Sequence, residues 1–71
     1  MNKKEVLENI YKEKSDLNYK IIKLTDFIKS DEFVELSDKA RMLLIQQRDI
    51  MKEYSFILTE RYKVLEDEIN D

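Results

Sequence analysis

Two runs of apolar residues, separated by a short polar stretch, constrain this chain more than any other feature. Residues 21–33 read IIKLTDFIKSDEF, and their apolar positions recur at three- and four-residue steps until Lys29 and Ser30 interrupt them. The second run covers residues 36–58 and opens a longer apolar face just after Ser37. Apolar residues at this spacing line one side of an α-helix. The pattern therefore predicts two amphipathic helices that fold back on each other as a helical hairpin.

The composition favours an all-α fold. The 71 residues include neither glycine nor proline, so the usual residues of tight β-turns are missing. A chain of this length forms one domain, and we assign residues 1–71 to a single helical domain. Below about 80 residues a lone hydrophobic core rarely supplies more than about 3–5 kcal/mol. Because the chain has no cysteine for disulfides, we expect it to assemble as a homo-oligomer.

The N-terminal part of the chain has two interpretations. Residues 3–11 have helical spacing, but Lys14 then occupies the next inward position before the apolar seam resumes. Ser15 and Asp16 are residue types that cap the N-termini of helices. We therefore expect a break near Lys14, which gives a short first helix and a second helix over residues 16–29. The alternative is one continuous helix in which the apolar stem of Lys14 packs and its ammonium group reaches solvent.

The connection covers residues 30–37 and is expected to hold one short helical turn. Ser37 is a good N-cap residue and Asp38 complements the helix dipole, so a long last helix should begin there and run to about Ile69. Its acidic tail, residues 66–71, opposes the dipole and is expected to fray. The apolar face of this helix is wider than one partner helix can cover, which indicates an oligomer interface. No extended heptad repeat with regular flanking charges is evident, which disfavours a simple coiled-coil rod.

Composition also excludes or disfavours several classes of function. Without cysteine and histidine, the chain has no Cys/His zinc site and no Ser-His or Cys-His catalytic pair. We find no paired acid–base carboxylates and no Gly-rich phosphate loop, so we predict a non-enzymatic protein without a metal or cofactor. The net charge of −3 argues against binding to DNA or RNA polymers. No apolar stretch suits a membrane span or a signal peptide, so we expect no membrane partner and a cytoplasmic location.

Four residues are candidates for ligand contacts: Lys23, Thr25, Tyr11 and Arg61. Lys23 offers a positive charge and Thr25 a hydroxyl, but the two lie about 160° apart around a helix. One ligand would contact both only in a pocket between protomers; the simpler interpretation is a solvated lysine and a boundary threonine. Tyr11 offers an aromatic face for a nucleobase, or else an edge of the core. Arg61 lies with Gln47 in the apolar row of the last helix, where it would hold an anion or form an interfacial salt bridge.

The stretch from residue 23 to residue 61 resembles a family of small phage proteins. Its recurring elements are a Leu-x-x-Phe-Ile-x-Ser-x-x-Phe-x-x-Leu connector and then Leu-Leu-x-x-Gln-x-x-x-Met-x-x-Tyr-x-x-Ile-Leu. The best-understood members of the family are anti-CBASS sponges for cyclic nucleotides. In this chain the matching positions are Leu24, Phe27, Ile28, Ser30, Phe33 and Leu36, followed by Leu43, Leu44, Gln47, Met51, Tyr54, Ile57 and Leu58.

The resemblance implies a compact helical homo-oligomer, a hexamer, that sequesters cyclic di- and trinucleotide signals without cleaving them. Such a protein would act in the cytoplasm of an infected bacterial host and deprive a CBASS immune effector of its signal. The resemblance assigns Lys23 and Thr25 to a cyclic-dinucleotide pocket between protomers, with Tyr11 as the aromatic residue, and assigns Arg61 to a separate cyclic-trinucleotide site. The alternative is a small helical interaction protein that binds a host or phage protein through its apolar face.

Overall fold

The computed structural model describes residues 2–70 and contains a helical hairpin. Helix α1 covers Lys3–Ile28, α2 is a four-residue helix over Asp31–Val34, and α3 covers Asp38–Asn70. α1 and α3 pack against each other in opposite directions and form a rod with extents of 52 × 18 × 14 Å. The predicted all-α fold, with a long C-terminal helix and a shorter N-terminal helix, is confirmed.

α1 is one continuous helix, so the predicted break near Lys14 is wrong. Asn2 caps its N-terminus, where the side-chain oxygen accepts a hydrogen bond from the Glu5 backbone N–H at 2.9 Å. Lys14 is half-buried and lies at the edge of the contact between α1 and α3. The aliphatic stem of a lysine supplies apolar contact at such an edge while its ammonium group stays in water. With no glycine or proline in the chain, Ser15 and Asp16 simply continue the helix.

Serine side chains order the connection between the long helices. The Ser30 hydroxyl donates to the Phe27 carbonyl oxygen at 2.6 Å and accepts from the Phe33 backbone N–H at 3.4 Å, so one side chain closes α1 and opens α2. The rings of Phe27 and Phe33 meet edge to face with their centroids 6.3 Å apart. Ser37 accepts a hydrogen bond from the Ala40 backbone N–H at 3.2 Å. Its predicted role as the cap of the last helix is thus confirmed.

α3 begins and ends close to the predicted positions. It starts at Asp38 and continues to Asn70. It therefore includes residues 66–70 of the acidic tail, which we expected to fray from the sequence. Residue 71 of that tail lies outside the described residues. In its first turn, Arg41 forms an ion pair with Asp38 and donates a hydrogen bond to the Val34 carbonyl oxygen at 3.4 Å. These contacts hold α2 against the start of α3.

The core of a single hairpin is small. Among residues 2–70, Ile10 and Leu58 are the buried apolar side chains. Other apolar side chains of the contact between α1 and α3 are only half-buried, for example Val6, Leu17, Leu24, Leu44, Met51 and Leu65. Hydrophobic stabilisation scales with the apolar area removed from water, at about 25 cal/mol per Å². A single hairpin therefore has little of it, while large side chains such as Ile50 and Ile57 remain exposed.

Candidate functional site

Tyr11 and Tyr62 form an aromatic pair across the two long helices. Their ring centroids are 6.4 Å apart and their planes are inclined at 52°. Tyr11 is exposed and Tyr62 is half-buried. The exposed ring of Tyr11 is accessible to a further aromatic group. The pair therefore presents an aromatic surface to solvent.

The tyrosine pair borders a groove between α1 and α3 with a volume of about 510 Å³, which we call the tyrosine groove. This volume lies within the range of small-molecule sites, about 300–1,000 Å³. Each helix contributes four residues at positions i, i+3, i+4 and i+7, the spacing of one helix face. The lining residues are Tyr11, Lys14, Ser15 and Asn18 from α1, and Thr59, Tyr62, Lys63 and Glu66 from α3.

The charge of the tyrosine groove is opposite in sign to that of the whole chain. Lys14 and Lys63 bring two positive charges and Glu66 one negative charge, which leaves a net positive groove in a chain of net charge −3. Lysine ammonium groups donate up to three hydrogen bonds, and phosphate oxygens accept such charge-assisted bonds strongly. The groove therefore favours an anionic ligand.

Neutral polar groups add hydrogen-bonding capacity to the floor of the groove. The Ser55 hydroxyl donates to the Asn18 side-chain oxygen at 2.6 Å and joins α3 to α1. This bond orients the Asn18 amide so that its nitrogen serves as a donor. The Thr59 hydroxyl donates to the Ser55 carbonyl oxygen at 3.0 Å, which leaves the Thr59 oxygen as an acceptor. The groove thus suits a ligand with flat rings and anionic groups, because it offers aromatic faces, ammonium groups, an amide donor and a hydroxyl acceptor.

Lys23 and Thr25, predicted from the sequence, lie elsewhere on α1. Lys23 is exposed, and its ammonium nitrogen is 5.4 Å from the centroid of the exposed Tyr19 ring, a cation–π geometry. Thr25 is half-buried on another face of the helix. Twelve residues of helix place Lys23 about 18 Å along the axis from Tyr11. The single chain does not bring Lys23, Thr25 and Tyr11 together.

Arg61 lies on the other side of the hairpin from the tyrosine groove. Arg61 and Lys63 are about 160° apart around α3. Arg61 is exposed and borders a shallower hollow of about 350 Å³ whose other lining residues include Val64 and the carboxylates of Glu60 and Glu68. Two negative charges beside one positive charge do not favour an anion. A single hairpin therefore gives Arg61 no ready anion site, and it is not part of the same site as Tyr11.

A hydrogen bond between Tyr54 and Glu13 joins the helices near Arg61. The Tyr54 phenol donates to the Glu13 carboxylate. This hydrogen bond raises the pKa of Tyr54 above its ordinary value; desolvation and the negative charge of Glu13 act in the same direction, and the positive charge of Arg61 opposes them. Tyr54 thus remains a neutral donor to more alkaline pH than a free tyrosine.

Sequence reasoning identified Tyr11 but missed the rest of the tyrosine groove. In the sequence, Lys14 is only an interruption of the apolar seam, and Tyr62 is not among the four residues predicted to contact a ligand. The missed signal is a pair of helix faces, each with a tyrosine and a lysine among residues spaced i, i+3, i+4 and i+7. Which residues of α3 oppose Tyr11 depends on the register of the hairpin, and the structure supplies that register.

The described part of the chain, residues 2–70, offers no cluster of three or more carboxylates, histidines or cysteines placed to hold a metal ion. Over the same residues, no helix combines the length and the hydropathy that crossing a membrane requires.

Comparison with known proteins identifies the family of the chain. No curated protein and no solved structure matches the chain. The family model described as Sequestin matches residues 4–64, which include all of the tyrosine groove except Glu66. The family name denotes sequestration, in agreement with the resemblance to phage anti-CBASS sponge proteins. With most of its length matched by the family model, the chain belongs to the Sequestin family.

Proposed function

We propose that this protein binds and sequesters cyclic oligonucleotide second messengers, cyclic dinucleotides and also trinucleotides, without cleaving them. The observation that carries the proposal is the convergence of two tyrosines and two lysines in one groove of a single hairpin. Cyclic oligonucleotides combine flat bases with phosphodiester anions, and both parts find complementary groups there. Membership of the Sequestin family supports the sequestering role.

In the proposed complex a base stacks on the tyrosine pair while the phosphodiester lies between the ammonium groups of Lys14 and Lys63. Base–aromatic stacking contributes about 1–3 kcal/mol per base, and the ammonium groups add charge-assisted hydrogen bonds. The Asn18 amide and the Thr59 oxygen then hydrogen-bond to the edge of the base. A protein that holds its ligand this way lowers the free concentration of the signal in the cytoplasm of an infected bacterial host and so counteracts CBASS-type signalling.

Lys23 and Thr25 belong to a second part of the proposal, a cyclic-dinucleotide pocket between protomers of a homo-oligomer, with a hexamer as the assembly. Their separation of about 160° around α1 fits a pocket shared by two chains. The exposure of Lys23 leaves its ammonium group accessible to a neighbouring chain. Arg61 is the candidate for a separate trinucleotide contact, and it needs a neighbouring chain to offset Glu60 and Glu68.

Calorimetric titration of the full chain with a panel of cyclic di- and trinucleotides tests the function. Binding of at least one member with a defined stoichiometry is the expected result. Ligand recovered after denaturation of the complex should be chromatographically unchanged, because the proposed role is binding alone. If no member binds at micromolar protein concentration, sequestration of cyclic oligonucleotides is wrong; if the ligand is recovered as linear product, the non-enzymatic role is wrong.

Lysine variants locate the site. Lys14→Met/Lys63→Met should weaken binding and flatten its dependence on salt, because the salt-screened attraction between the two ammonium groups and the phosphodiester is removed. Lys52→Met is the matched control, because Lys52 is an exposed lysine of α3 about 16 Å along the axis from Lys63. Loss of binding in Lys23→Ala, with the oligomer intact and the double variant unaffected, would assign the ligand to the pocket between protomers instead of the groove.

A second candidate function is that of a small helical interaction protein that binds a host or phage protein. The observation in its favour is the row of exposed apolar side chains on α3, which includes Leu43, Ile50 and Ile57. A stable monomer in solution favours this role, because the row is then free for another protein. A closed homo-oligomer that covers the row argues against it.

A further inference from the structure

A second, smaller hollow adjoins the tyrosine groove at the tyrosine pair. It has a volume of about 240 Å³, and both Tyr11 and Tyr62 line it as well as the groove. Its other lining residues are Leu7, Glu8 and Lys12, and we call it the Glu8 hollow. Leu7 and Glu8 precede Tyr11 along α1, whereas the other groove residues of this helix follow it. The tyrosine pair therefore lies between two hollows that succeed each other along the hairpin.

The size of the Glu8 hollow suits one ring system and not a whole ligand. Its volume of about 240 Å³ is below the roughly 300–1,000 Å³ of sites that hold a complete small molecule. Leu7 is half-buried and Tyr11 is 63% exposed, so a flat ring finds an apolar wall and an accessible aromatic face. A cyclic dinucleotide has two bases, of which the tyrosine groove takes one. The Glu8 hollow is the adjoining space in which the second base can pack.

The charged groups of the Glu8 hollow distinguish between bases. An ionised carboxylate such as that of Glu8 only accepts hydrogen bonds, and its two oxygens can accept a pair of them side by side. Guanine has two neighbouring donors, N1–H and the N2 amino group, on its Watson–Crick edge. Adenine, cytosine and uracil each place an acceptor beside a donor on that edge, and the acceptor would face a carboxylate oxygen. Lys12 adds an ammonium group to the same hollow, which offsets the negative charge of Glu8 beside a phosphodiester.

We infer that one cyclic dinucleotide spans the tyrosine pair, with one base in the tyrosine groove and the second base, preferentially guanine, in the Glu8 hollow. The inference rests on the proposed function, because it assigns the second base of the same ligand. Tyr11 and Tyr62 then contact both bases. The lysines of the two hollows supply positive charge for both phosphodiesters, and they are Lys12, Lys14 and Lys63.

Calorimetric titration of the full chain with cyclic di-GMP and cyclic di-AMP tests the preference through Glu8→Gln. The wild type should bind cyclic di-GMP more tightly. A glutamine offers one acceptor and one donor, a pattern that suits adenine, so the affinity ratio of the two ligands should fall by about 10-fold or more. Glu53→Gln is the matched control. It removes the same charge from the face of α3 opposite Tyr62, nine residues and about 180° away, and should leave the ratio unchanged.

The outcomes of this titration separate the inference from the proposed function. If the wild type binds both ligands and the ratio stays the same in Glu8→Gln, or falls equally in Glu53→Gln, the inference is wrong and the proposed function stands. A wild type that prefers cyclic di-AMP overturns the inference in the same way. A wild type that binds no cyclic oligonucleotide overturns the proposed function, and the inference with it.

Nuclear Overhauser contacts locate the two bases in the complex without any substitution. Leu7 lines the Glu8 hollow but not the tyrosine groove, and Thr59 lines the groove but not the hollow. In the complex with cyclic di-GMP, the H8 proton of one guanine should contact the Leu7 methyl groups and that of the other should contact the Thr59 methyl group. If base protons contact Thr59 but not Leu7, the second base is not in the Glu8 hollow and the inference is overturned.

Discussion

The phenol of Tyr54 donates a hydrogen bond to the carboxylate of Glu13 and so links α3 to α1 on the side of the hairpin that faces away from the tyrosine groove. Only the neutral phenol makes this bond, which is why the pKa of Tyr54 is raised. A proton on Tyr54 thus stabilises the fold, and removal of that proton places two negative charges side by side.

This relationship predicts a loss of stability at alkaline pH. Because the folded-state pKa of Tyr54 is raised, its contribution is complete below the unfolded-state pKa of about 10 and disappears as the pH rises through the folded-state pKa. The difference in unfolding free energy between the wild type and Tyr54→Phe should therefore shrink above about pH 10. Chemical denaturation at a series of pH values measures it. Tyr19→Phe is the control; an equal change in both variants would mean that the bond to Glu13 is not the cause.

Leu58 is the side chain on which a single hairpin depends most. It is fully buried, and truncation of a buried leucine to alanine costs about 2–5 kcal/mol. A chain of this size has only about 3–5 kcal/mol available, so Leu58→Ala should largely unfold at 25 °C, as judged by circular dichroism. Phe56→Ala removes a larger but exposed side chain and should change the unfolding free energy far less. Comparable losses in the two variants would show that Phe56 is buried in an assembly.

The aromatic pair should control affinity for a base-containing ligand. Tyr62→Leu keeps an apolar side chain but removes the flat face, and the loss of about 1–3 kcal/mol of stacking corresponds to about 5- to 150-fold weaker binding. Tyr11→Leu should act in the same direction. Calorimetric titration with whichever cyclic oligonucleotide the wild type binds gives the ratio. Tyr19→Leu is informative as a comparison, since it removes the ring beneath Lys23 and should reduce affinity only if the Lys23 pocket holds the ligand.

The Ser30 hydroxyl should contribute to stability because it serves two helices at once. Ser30→Ala removes its bonds to Phe27 and Phe33, and loss of an N-cap of this kind costs about 1 kcal/mol. Ser15→Ala, within the continuous α1, should be neutral or slightly stabilising because alanine has the higher helix propensity. Denaturant titration compares the two. A neutral Ser30→Ala would mean that water replaces both bonds without loss.

The positions of the helices were predictable where side-chain spacing alone determines them. Apolar spacing and the serine at position 37 give the hairpin and the start of α3, because both signals are local. The predicted break near Lys14 is wrong because a lysine can pack its aliphatic stem against the core and leave its ammonium group in water. Whether it does so depends on the residues of the other helix that lie near it. On α3, the residues that share the groove with Lys14 are Thr59, Tyr62, Lys63 and Glu66, and the hairpin register brings them there.

The candidate site was less predictable because it also depends on the hairpin register. Lys23 and Thr25 were selected by resemblance, and in the single chain they lie on different faces of α1, away from the tyrosine groove. Lys14 and Lys63 are 49 residues apart in sequence, so no local pattern joins them. The buried and the exposed apolar residues of α3 were likewise merged into one wide apolar face, because residues such as Ile57 and Leu58 are adjacent in sequence. Only the structure shows that Leu58 is buried against α1 while Ile57 stays exposed.

The connection around α2 ties the long helices together at only one end of the rod, and Tyr11 lies about 25 Å from it along α1. Toward the other end, the exposed contact of Lys3 with Glu68 at 3.7 Å adds little resistance to separation. A molecule seated between Tyr11 and Tyr62 would therefore hold together the ends that are most free to part. Occupancy should be detectable as slower amide hydrogen exchange in the first turns of α1 and the last turns of α3, with the exchange rates near Ser30 unchanged.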